Sequence, residues 1–348
     1  MKNLKTSNLR VLLHPTIILS LCLSHCQTPQ VDIPTSSIHA HNWKQVEQRV
    51  LHQNLHIDEF SKKGPFKVKT HRQVSLSISP KEKFYGDYFR PSHKGKAPLI
   101  IFIHGNLFNR HAHSHQASRL SSWGFHTLIL DVPNQHEWVE NGKRVAKVTK
   151  LIQSYPQQLS SHIDTQKIIL IGHSFGGSAV TLAAAHGAPV HGLILLDPAV
   201  VHDIVIKAMN KVAVPVVLLG ADPSVFRSRR RQLFFKHIPT AMTEVTVAGS
   251  THNDAQYPSI TSWRWGVDPF TTTQYQETFL RSIIVASFGL SHHNLRYIWS
   301  VVRQAEKEKK GLKNTKIRFT QDKQKRLFKK KHPKQVKHHV SHVRDFRG

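Results

Sequence analysis

Cysteine is nearly absent from this sequence. Of its 348 residues only two are cysteines, Cys22 and Cys26, and both lie close to the N-terminus. The remainder of the chain therefore has no thiol that could act as a nucleophile, ligate zinc or form a disulfide bond. Any nucleophile in that remainder must be an oxygen or a nitrogen.

Acidic residues are also scarce. The sequence has 21 Asp and Glu residues against 49 Lys and Arg residues, which gives a formal net charge of +28 at pH 7. This excess favours polyanionic partners such as anionic lipid or nucleic acid, although it says little about chemistry. Hydrophobic residues make up 39% and charged residues 20% of the chain, a balance that excludes global disorder and a polytopic membrane protein.

The N-terminal hydrophobic run is too short to cross a membrane comfortably. Three basic residues within the first ten precede the run 11–23, whereas a membrane-spanning helix needs about 20 apolar residues. The basic residues, the apolar run and the short residues after it follow one another in the order of an export signal. This order predicts a cleaved signal over 1–26. Leu23–Cys26 resembles a bacterial lipobox, in which the cysteine is lipidated after cleavage, but His25 stands where a small residue is expected. We therefore expect an exported protein that is periplasmic, secreted or anchored by a lipid on Cys26.

The middle of the sequence, residues 65–290, alternates short apolar runs with longer mixed segments. This alternation is typical of a mostly parallel sheet with helices on both faces, so we predict one α/β domain there. Active sites in such sheets form at the carboxyl ends of the strands. The predicted parallel strands are Pro98–Ile103, Phe125–Leu130, Lys167–Ile171, Gly192–Leu196 and Val214–Leu219. Two antiparallel strands, Lys67–Ser79 and Lys83–Phe89, precede them, and a last strand, Glu244–Val247, and a closing helix, Thr271–Leu290, follow.

The segments on either side of this domain differ from it. Residues 27–64 are predicted to be an N-terminal extension, and residues 291–348 a C-terminal helix with a basic tail. From 306 to 348 the sequence has 16 Lys and Arg residues against 4 acidic ones and no clear periodicity, which is typical of a solvated, mobile segment. We expect this tail to contact an anionic membrane or cell-surface polymer, and export argues against nucleic acid.

The strongest motif is Gly172-His173-Ser174-Phe175-Gly176-Gly177, between an apolar run and a helix-like segment. A Gly-x-Ser-x-Gly turn from a strand into a helix is so tight that the neighbours of the serine must lack side chains, while the serine projects into the cleft. The amides at the start of the helix, beginning with Phe175, point to where negative charge would develop. The motif and its setting predict Ser174 as the nucleophile of a serine hydrolase.

A serine hydroxyl needs a histidine to take its proton and a carboxylate to hold that histidine. Among the 27 histidines, His252 follows the last predicted strand, where folds of this type carry the catalytic histidine. Two residues fit the acid, because Asp197 ends one predicted strand and Asp222 follows the next. Either carboxylate could reach a histidine over this edge of the sheet, so the residues alone leave both open.

Acyl transfer also needs two hydrogen-bond donors for the oxyanion of the tetrahedral intermediate. We expect one donor to be the amide of Phe175. The second should come from the loop His104-Gly105-Asn106-Leu107 after the first parallel strand, where glycine lets the backbone approach the substrate. Either Asn106 or Leu107 could supply this amide, and His104 is expected to be structural rather than catalytic.

Over most of residues 65–290 the sequence resembles the α/β-hydrolase superfamily. Three motifs carry this resemblance: His104-Gly105, the serine motif and Gly249-Ser250-Thr251-His252. The sequence is most similar to platelet-activating-factor acetylhydrolases and to the related dienelactone-hydrolase-like and polyester-hydrolase enzymes, although it lacks the nucleophilic cysteine of true dienelactone hydrolases. Resemblance to the acetylhydrolases implies Asp197 as the acid. The more usual position in the superfamily implies Asp222, and in polyester hydrolases the acid sits near Ser224.

The resemblance implies a serine esterase that works through an acyl-enzyme, with no metal and no organic cofactor. Only about seventeen residues separate Asp197 from the strand that follows it, too few for a helical lid, and an open cleft suits small or short-acyl esters such as platelet-activating-factor-like acetyl esters. The alternatives are a peptidase, thioesterase or polyester hydrolase with the same triad, or a non-catalytic surface-binding protein with a relic hydrolase fold.

Three weaker features surround these residues. His111 and His115, at i and i+4, could bind a metal, with a solvated polar helix as the simpler interpretation. The basic run Arg227–Arg231 is predicted to be an exposed helix face, which would attract anionic groups if it bordered the cleft. Three aromatic residues after the predicted catalytic histidine could form an apolar wall near the site, with core packing as the alternative role for at least one of them: Trp263, Trp265 and Phe270.

Overall fold

The computed structural model describes residues 35, 38–53, 55–225, 230–258 and 273–319. The chain divides into two compact units, Met1–Ile33 and Pro34–Gly348, and every described residue belongs to the second. Several predicted features lie outside the described residues: the export signal with Cys26, the aromatic residues Trp263, Trp265 and Phe270, and the tail from 320 onward. Within the described ranges, no helix is long and apolar enough to cross a membrane.

A nine-stranded sheet forms the centre of the fold. The strands are β1 (Val68–Ser79), β2 (Glu82–Pro91), β3 (Ala97–Ile103), β4 (His126–Asp131), β5 (Ile163–His173), β6 (Gly192–Leu196), β7 (Val216–Gly220), β8 (Met242–Val247) and β9 (Leu312–Arg318). Their order across the sheet is β1-β2-β4-β3-β5-β6-β7-β8-β9. The pairs β1/β2, β2/β4 and β8/β9 are antiparallel, and all other neighbours are parallel.

Helices cover both faces of the sheet. One face carries α1 (Trp43–His52), α2 (Ser114–Ser122), α7 (Thr273–Leu290) and α8 (Leu295–Lys307), and the other carries α3 (Trp138–Ser154), α4 (Phe175–Ala185), α5 (Asp203–Met209) and α6 (Gln232–His237). Every residue of β3 is buried, because a parallel strand between two helical layers has no solvent face. The predicted α/β class with helices on both faces is confirmed.

The segment predicted as an N-terminal extension is packed into the domain where the structure describes it. α1 begins with a capping box, in which Asn42 and Gln45 satisfy each other's backbone amides. Its Trp43 is buried and stacks on Phe288 of α7, with ring centroids 5.2 Å apart. A local sequence pattern does not reveal this packing, because the burial of α1 depends on a helix far along the chain.

The C-terminal segment also differs from its prediction. The expected helix is present as α8, but the chain then returns to the sheet as β9, antiparallel to β8. The basic tail predicted from 306 is therefore wrong over β9, and β8 is not the last strand. An edge strand is held by main-chain hydrogen bonds and often carries lysine, so its sequence has little apolar periodicity.

The parallel strands bring the predicted site residues to one edge of the sheet, here called the carboxyl edge. The segments that follow β3, β5, β6, β7 and β8 begin with or soon reach Asn106, Ser174, Asp197, Asp222 and His252. The connection from β6 to β7 is described in full and contains only the short helix α5. This agrees with the prediction that no lid is inserted there.

Candidate active site

Ser174 lies at the turn between β5 and α4. Its backbone has φ 54° and ψ −122°, a conformation that residues with side chains rarely adopt and that is typical of a nucleophile elbow. The turn is tight, because a Cβ on Gly172 would overlap the carbonyl of Gly176, and a Cβ on Gly176 would overlap the carbonyl oxygens of Ile103 and His104. The glycines of the motif are therefore required by the close approach of backbone to backbone.

His252 contacts Asp197. It begins a short 3-10 helix directly after the turn that follows β8. Its Nδ1 is 2.6 Å from Oδ2 of Asp197, whose side chain is fully buried at the end of β6. Because an ionised carboxylate only accepts hydrogen bonds, Nδ1 of His252 is the donor in this contact, and in the neutral form of such a ring the lone pair is on Nε2. An imidazole in this state can take a proton from a hydroxyl.

Asp222, the other candidate acid, holds the turn that precedes His252. Its Oδ2 accepts a hydrogen bond from the Gly249 amide at 2.7 Å and lies 2.6 Å from Nζ of Lys313 on β9. Its Oδ1 accepts from the hydroxyl of Ser224 at 2.6 Å. Burial alone would raise the pKa of Asp222, but Lys313 and these hydrogen bonds lower it well below its usual value. Asp222 therefore acts as an ionised anchor for the Gly249 turn.

His173, the residue before the serine, joins the elbow to His252. It is fully buried; its Nε2 donates to the carbonyl of His252 at 3.1 Å, and its Nδ1 accepts from Nε2 of Gln256 at 3.2 Å. The rings of His173 and His252 have centroids 4.5 Å apart. Burial, reinforced by the neighbouring His252, lowers the pKa of His173 well below its usual value, so the ring stays neutral and keeps both bonds. Through this contact the elbow fixes the backbone of His252.

Gln135 clamps the loop after β3. The amide of Leu107 donates to Oε1 of Gln135 at 2.6 Å, and Nε2 of Gln135 donates to the carbonyl of Phe108 at 2.8 Å. Leu107 itself has φ 65° and an exposed side chain. The side-chain amide of Gln135 thus pairs with an N–H and a C=O of successive residues, as a neighbouring strand would. The Leu107 N–H is therefore already hydrogen-bonded.

The Asn106 amide differs from that of Leu107, which is engaged by Gln135. The loop lies against the elbow, since a Cβ on Gly105 would lie 2.9 Å from the Cβ of Ser174. Within the described residues, neither the Asn106 amide nor the Phe175 amide donates to an acceptor. The side chain of Asn106 accepts from Nε1 of Trp138 at 3.3 Å, which helps to orient this residue. The two amides are those that an oxyanion site would use.

His104 is bound on both sides by backbone. Its Nδ1 donates to the carbonyl of Gly105 at 2.8 Å, and its Nε2 accepts from the amide of Val132 at 3.2 Å. Burial lowers the pKa of this histidine, so the ring is neutral and both nitrogens are engaged. The contacts agree with the structural role expected for it.

The basic run Arg227–Arg231 is not a uniformly exposed helix face. Residues 226–229 lie outside the described residues, and Arg230 is exposed and pairs with Asp203 at 2.5 Å. Arg231, in contrast, is nearly buried, with its guanidinium 2.6 Å from Asp197. The expectation of an exposed run is wrong for Arg231, because a buried carboxylate draws this side chain inward.

The predicted pairing of His111 and His115 on one helical face does not form. His111 lies in a 3-10 turn, Arg110–His113, whereas His115 belongs to α2 and stacks its ring on Tyr257 at 4.0 Å between centroids. In the part of the chain that the structure describes, no group of three or more potential ligands is placed to hold a metal ion.

Sequence reasoning missed four side chains that support the site. His173 could have been found, since it is a titratable residue inside the serine motif. Gln135, Arg231 and Lys313 come from separate segments without a motif, and only the folded chain brings them to the carboxyl edge.

Two comparisons with known proteins bear on this arrangement. A profile described as "Alpha/beta hydrolase family" matches residues 100–292, more than half of the chain, and this range includes Ser174, Asp197 and His252. Cutinase 2 of Thermobifida cellulosilytica is 24% identical over 150 residues, which is 40% of this chain and 55% of the cutinase. The chain thus spans about half the length of the curated relative it matches.

Proposed function

Because this chain belongs to the alpha/beta hydrolase family, we propose that it is a serine carboxylic-ester hydrolase with Ser174, His252 and Asp197 as its triad. The observation that carries the proposal is the 2.6 Å contact between Nδ1 of His252 and Oδ2 of Asp197, beside an elbow that sets Ser174 at φ 54°. Asp222 is the less suitable acid, since its carboxylate is engaged by Gly249 and Lys313.

The proposed reaction has two halves. Oγ of Ser174 attacks the ester carbonyl while Nε2 of His252 takes its proton, and Asp197 stabilises the imidazolium that forms. The amides of Phe175 and Asn106 donate to the oxyanion of the tetrahedral intermediate. The imidazolium then protonates the leaving alcohol, which yields an acyl-serine. Water, activated by the same imidazole, attacks the acyl-serine and releases the acid, which restores Ser174.

We propose small or short-acyl esters as substrates, with acetyl esters of the platelet-activating-factor type among them. The short β6–β7 connection supports this choice, because it inserts no helical lid between these two strands. A second candidate, a polyester, is favoured by the similarity to a protein named cutinase, and an open cleft would admit a polymer surface as well.

The test of the proposed activity compares the parent chain with Ser174→Ala. We expect p-nitrophenyl acetate hydrolysis and fluorophosphonate labelling in the parent and neither in the variant, with unchanged circular dichroism, because the hydroxyl contributes little to packing. Ser178→Ala, a buried serine of α4 that donates to the carbonyl of Ala199, is a matched control and should stay labelled. Labelling of Ser174→Ala at the parent rate would contradict the proposal.

A substrate panel separates the two candidate substrates. p-Nitrophenyl esters of increasing acyl length, assayed beside a polyester film, report the acyl preference. A steep decline beyond short acyl chains with no film erosion supports the small-ester hydrolase, whereas release of soluble products from the film supports the polyester hydrolase.

We further propose that the chain is exported and contacts an anionic membrane or cell-surface polymer. The leader pattern in 1–26 and the net charge of +28 support this. A groove of about 560 Å³ at the sheet edge opposite the carboxyl edge is lined by no acidic residue; its lining is His41, Lys69, Arg90, Pro91, Ser92, His93 and Lys94. Salt-sensitive cosedimentation with anionic but not neutral vesicles is expected, and mass spectrometry of the mature N-terminus would show cleavage and any lipid on Cys26.

A further inference from the structure

The carboxylate that contacts His252 also contacts an arginine. Nη1 of Arg231 lies 2.6 Å from Oδ1 of Asp197 and donates to the carbonyl of Ala221 at 2.6 Å. The amide of Ala221 donates to the same Oδ1 at 2.9 Å. One oxygen of Asp197 therefore faces a cation and an amide, while the other faces His252. With side-chain exposures of 11% for Arg231 and 0% for Asp197, this ion pair is buried at the site.

The fold makes room for this guanidinium at Gly220, the last residue of β7. A Cβ on Gly220 would overlap Nη1 and Cζ of Arg231, so a side chain there would displace the guanidinium from Asp197. The neighbouring Arg230 directs its own guanidinium to the exposed Asp203 at 2.5 Å. The two arginines are adjacent in sequence, but only Arg231 contacts the buried carboxylate of Asp197, whereas Arg230 contacts an exposed one.

We propose that Arg231 is a positioning residue of the triad, which keeps Asp197 ionised and aligned on His252 and sets the pH below which activity is lost. This inference rests on the proposed triad. Burying a lone carboxylate is costly unless a cation with good hydrogen-bond geometry accompanies it. Arg231 also disfavours protonation of the Asp197–His252 pair. Its charge already balances that of the carboxylate, so an added proton would give the three side chains a net positive charge. Arg231 should therefore extend activity to lower pH.

Among the described residues, the other ionisable groups around the pair do not replace Arg231. Asp254, buried in the same 3-10 turn as His252, is an acid and accepts from the amide of Thr251 at 2.7 Å. His173 and His113 are buried, and burial lowers the pKa of each, so both are neutral. The nearby carboxylate of Asp222 is balanced by Lys313. Removing the charge of Arg231 therefore changes the net charge next to the Asp197–His252 pair by one unit.

The test uses full-length variants and the pH dependence of kcat/KM for p-nitrophenyl acetate, corrected for active sites titrated with a fluorophosphonate. In Arg231→Gln we expect the acid limb of the profile to move up by about one pH unit, the size expected for loss of one charge a few ångströms away. Arg231→Lys, which keeps the charge, should restore most of the parent profile. Arg230→Gln is the matched control and should leave the limb in place.

Gly220→Ala keeps Arg231 but displaces its guanidinium, so it tests the same contact if Arg231→Gln fails to fold. We expect its acid limb to move in the same direction. NMR titration of the His252 imidazole in each variant gives a readout that does not need turnover. If the parent chain neither hydrolyses esters nor becomes labelled, the proposed function fails, and the NMR titration still decides the role of Arg231. An acid limb and an imidazole titration that stay at their parent positions in Arg231→Gln and Gly220→Ala would overturn the inference.

Discussion

Exchanging each of the two buried aspartates for asparagine separates the acid of the triad from the anchor of the Gly249 turn. In Asp197→Asn the amide no longer fixes His252 with its proton on Nδ1, so Nε2 is not held ready to accept the proton of Ser174. Since the same exchange in a serine protease lowers kcat about 10⁴-fold, we expect a loss of about four orders of magnitude here. The free energy of unfolding should fall as well, because asparagine leaves the nearly buried guanidinium of Arg231 without its anion, so kcat per labelled active site is the deciding quantity.

In Asp222→Asn the expected loss is in stability. Without the charge, the hydrogen bonds from Gly249 and Ser224 weaken by about 0.5–1 kcal/mol each, and the pair with the partly exposed Lys313 loses up to about 1 kcal/mol. The sum is a decrease of about 2 kcal/mol in the free energy of unfolding, with kcat reduced less than about tenfold. Because the pKa of Asp222 is lowered by folding, this contribution is complete above about pH 4 and fades as the pH falls below that value.

Two measurements on the same preparations decide between these outcomes. Urea unfolding at pH 7 gives the free energy of unfolding, and hydrolysis of p-nitrophenyl acetate per labelled active site gives kcat. Asp203→Asn, an exposed aspartate paired with Arg230, is the control and should change neither quantity. A collapse of kcat in Asp222→Asn together with survival of kcat in Asp197→Asn would falsify the assignment of the acid.

Three further perturbations follow from the contacts. Gln135→Ala releases the loop after β3. Because this loop is proposed to supply a donor to the oxyanion, kcat should fall about tenfold with little change in KM. A tenfold rise in KM with unchanged kcat would mean that the loop contributes to substrate binding instead. Burial lowers the pKa of His113 to about 4 and that of His126 to about 3, so acidification from pH 6.5 to 5 should lower the free energy of unfolding by about 1.6 kcal/mol per histidine, as protons bind to the unfolded chain. Urea midpoints at the two pH values measure this, and His126→Asn should show a shallower pH dependence. A chain ended after Lys310 lacks β9 and should melt at a lower temperature, whereas one ended after Phe319 should keep its activity and lose affinity for anionic vesicles; equal melting temperatures would contradict the role given to β9.

The central strands were predictable because their physics is local. Runs such as that of β3 are apolar at every position since both faces pack on helices, and such runs stand out against mixed segments. β9 was not predictable, because its seven residues include two lysines and an arginine without apolar alternation, and the strand gains its place through backbone pairing with β8. α1 was missed for a related reason, since Trp43 is buried by Phe288 rather than by anything near it in sequence.

The candidate site likewise contains residues that the sequence indicates and residues that it does not. The elbow could be placed at Ser174 because its glycines are required by the turn itself. The residues alone did not distinguish Asp197 from Asp222, since the two follow neighbouring strands. The contact with His252 favours Asp197, whereas Asp222 pairs with Lys313 on the strand that was not predicted. Arg231 was likewise hidden, because within a run of arginines nothing in the sequence marks the one that points inward.

The reversal of direction at β9 determines at which edge of the sheet the described part of the chain ends. Leu312 pairs with Val247 at the carboxyl edge and Arg318 pairs with Met242 at the far edge, and Asn42, near the start of the described chain, bridges to Lys94 at that same far edge. A resin or fusion partner joined directly to Phe319, in a chain shortened to that residue, would therefore hold the molecule at the far edge. The serine cleft would then face the surrounding medium, where soluble or particulate esters arrive.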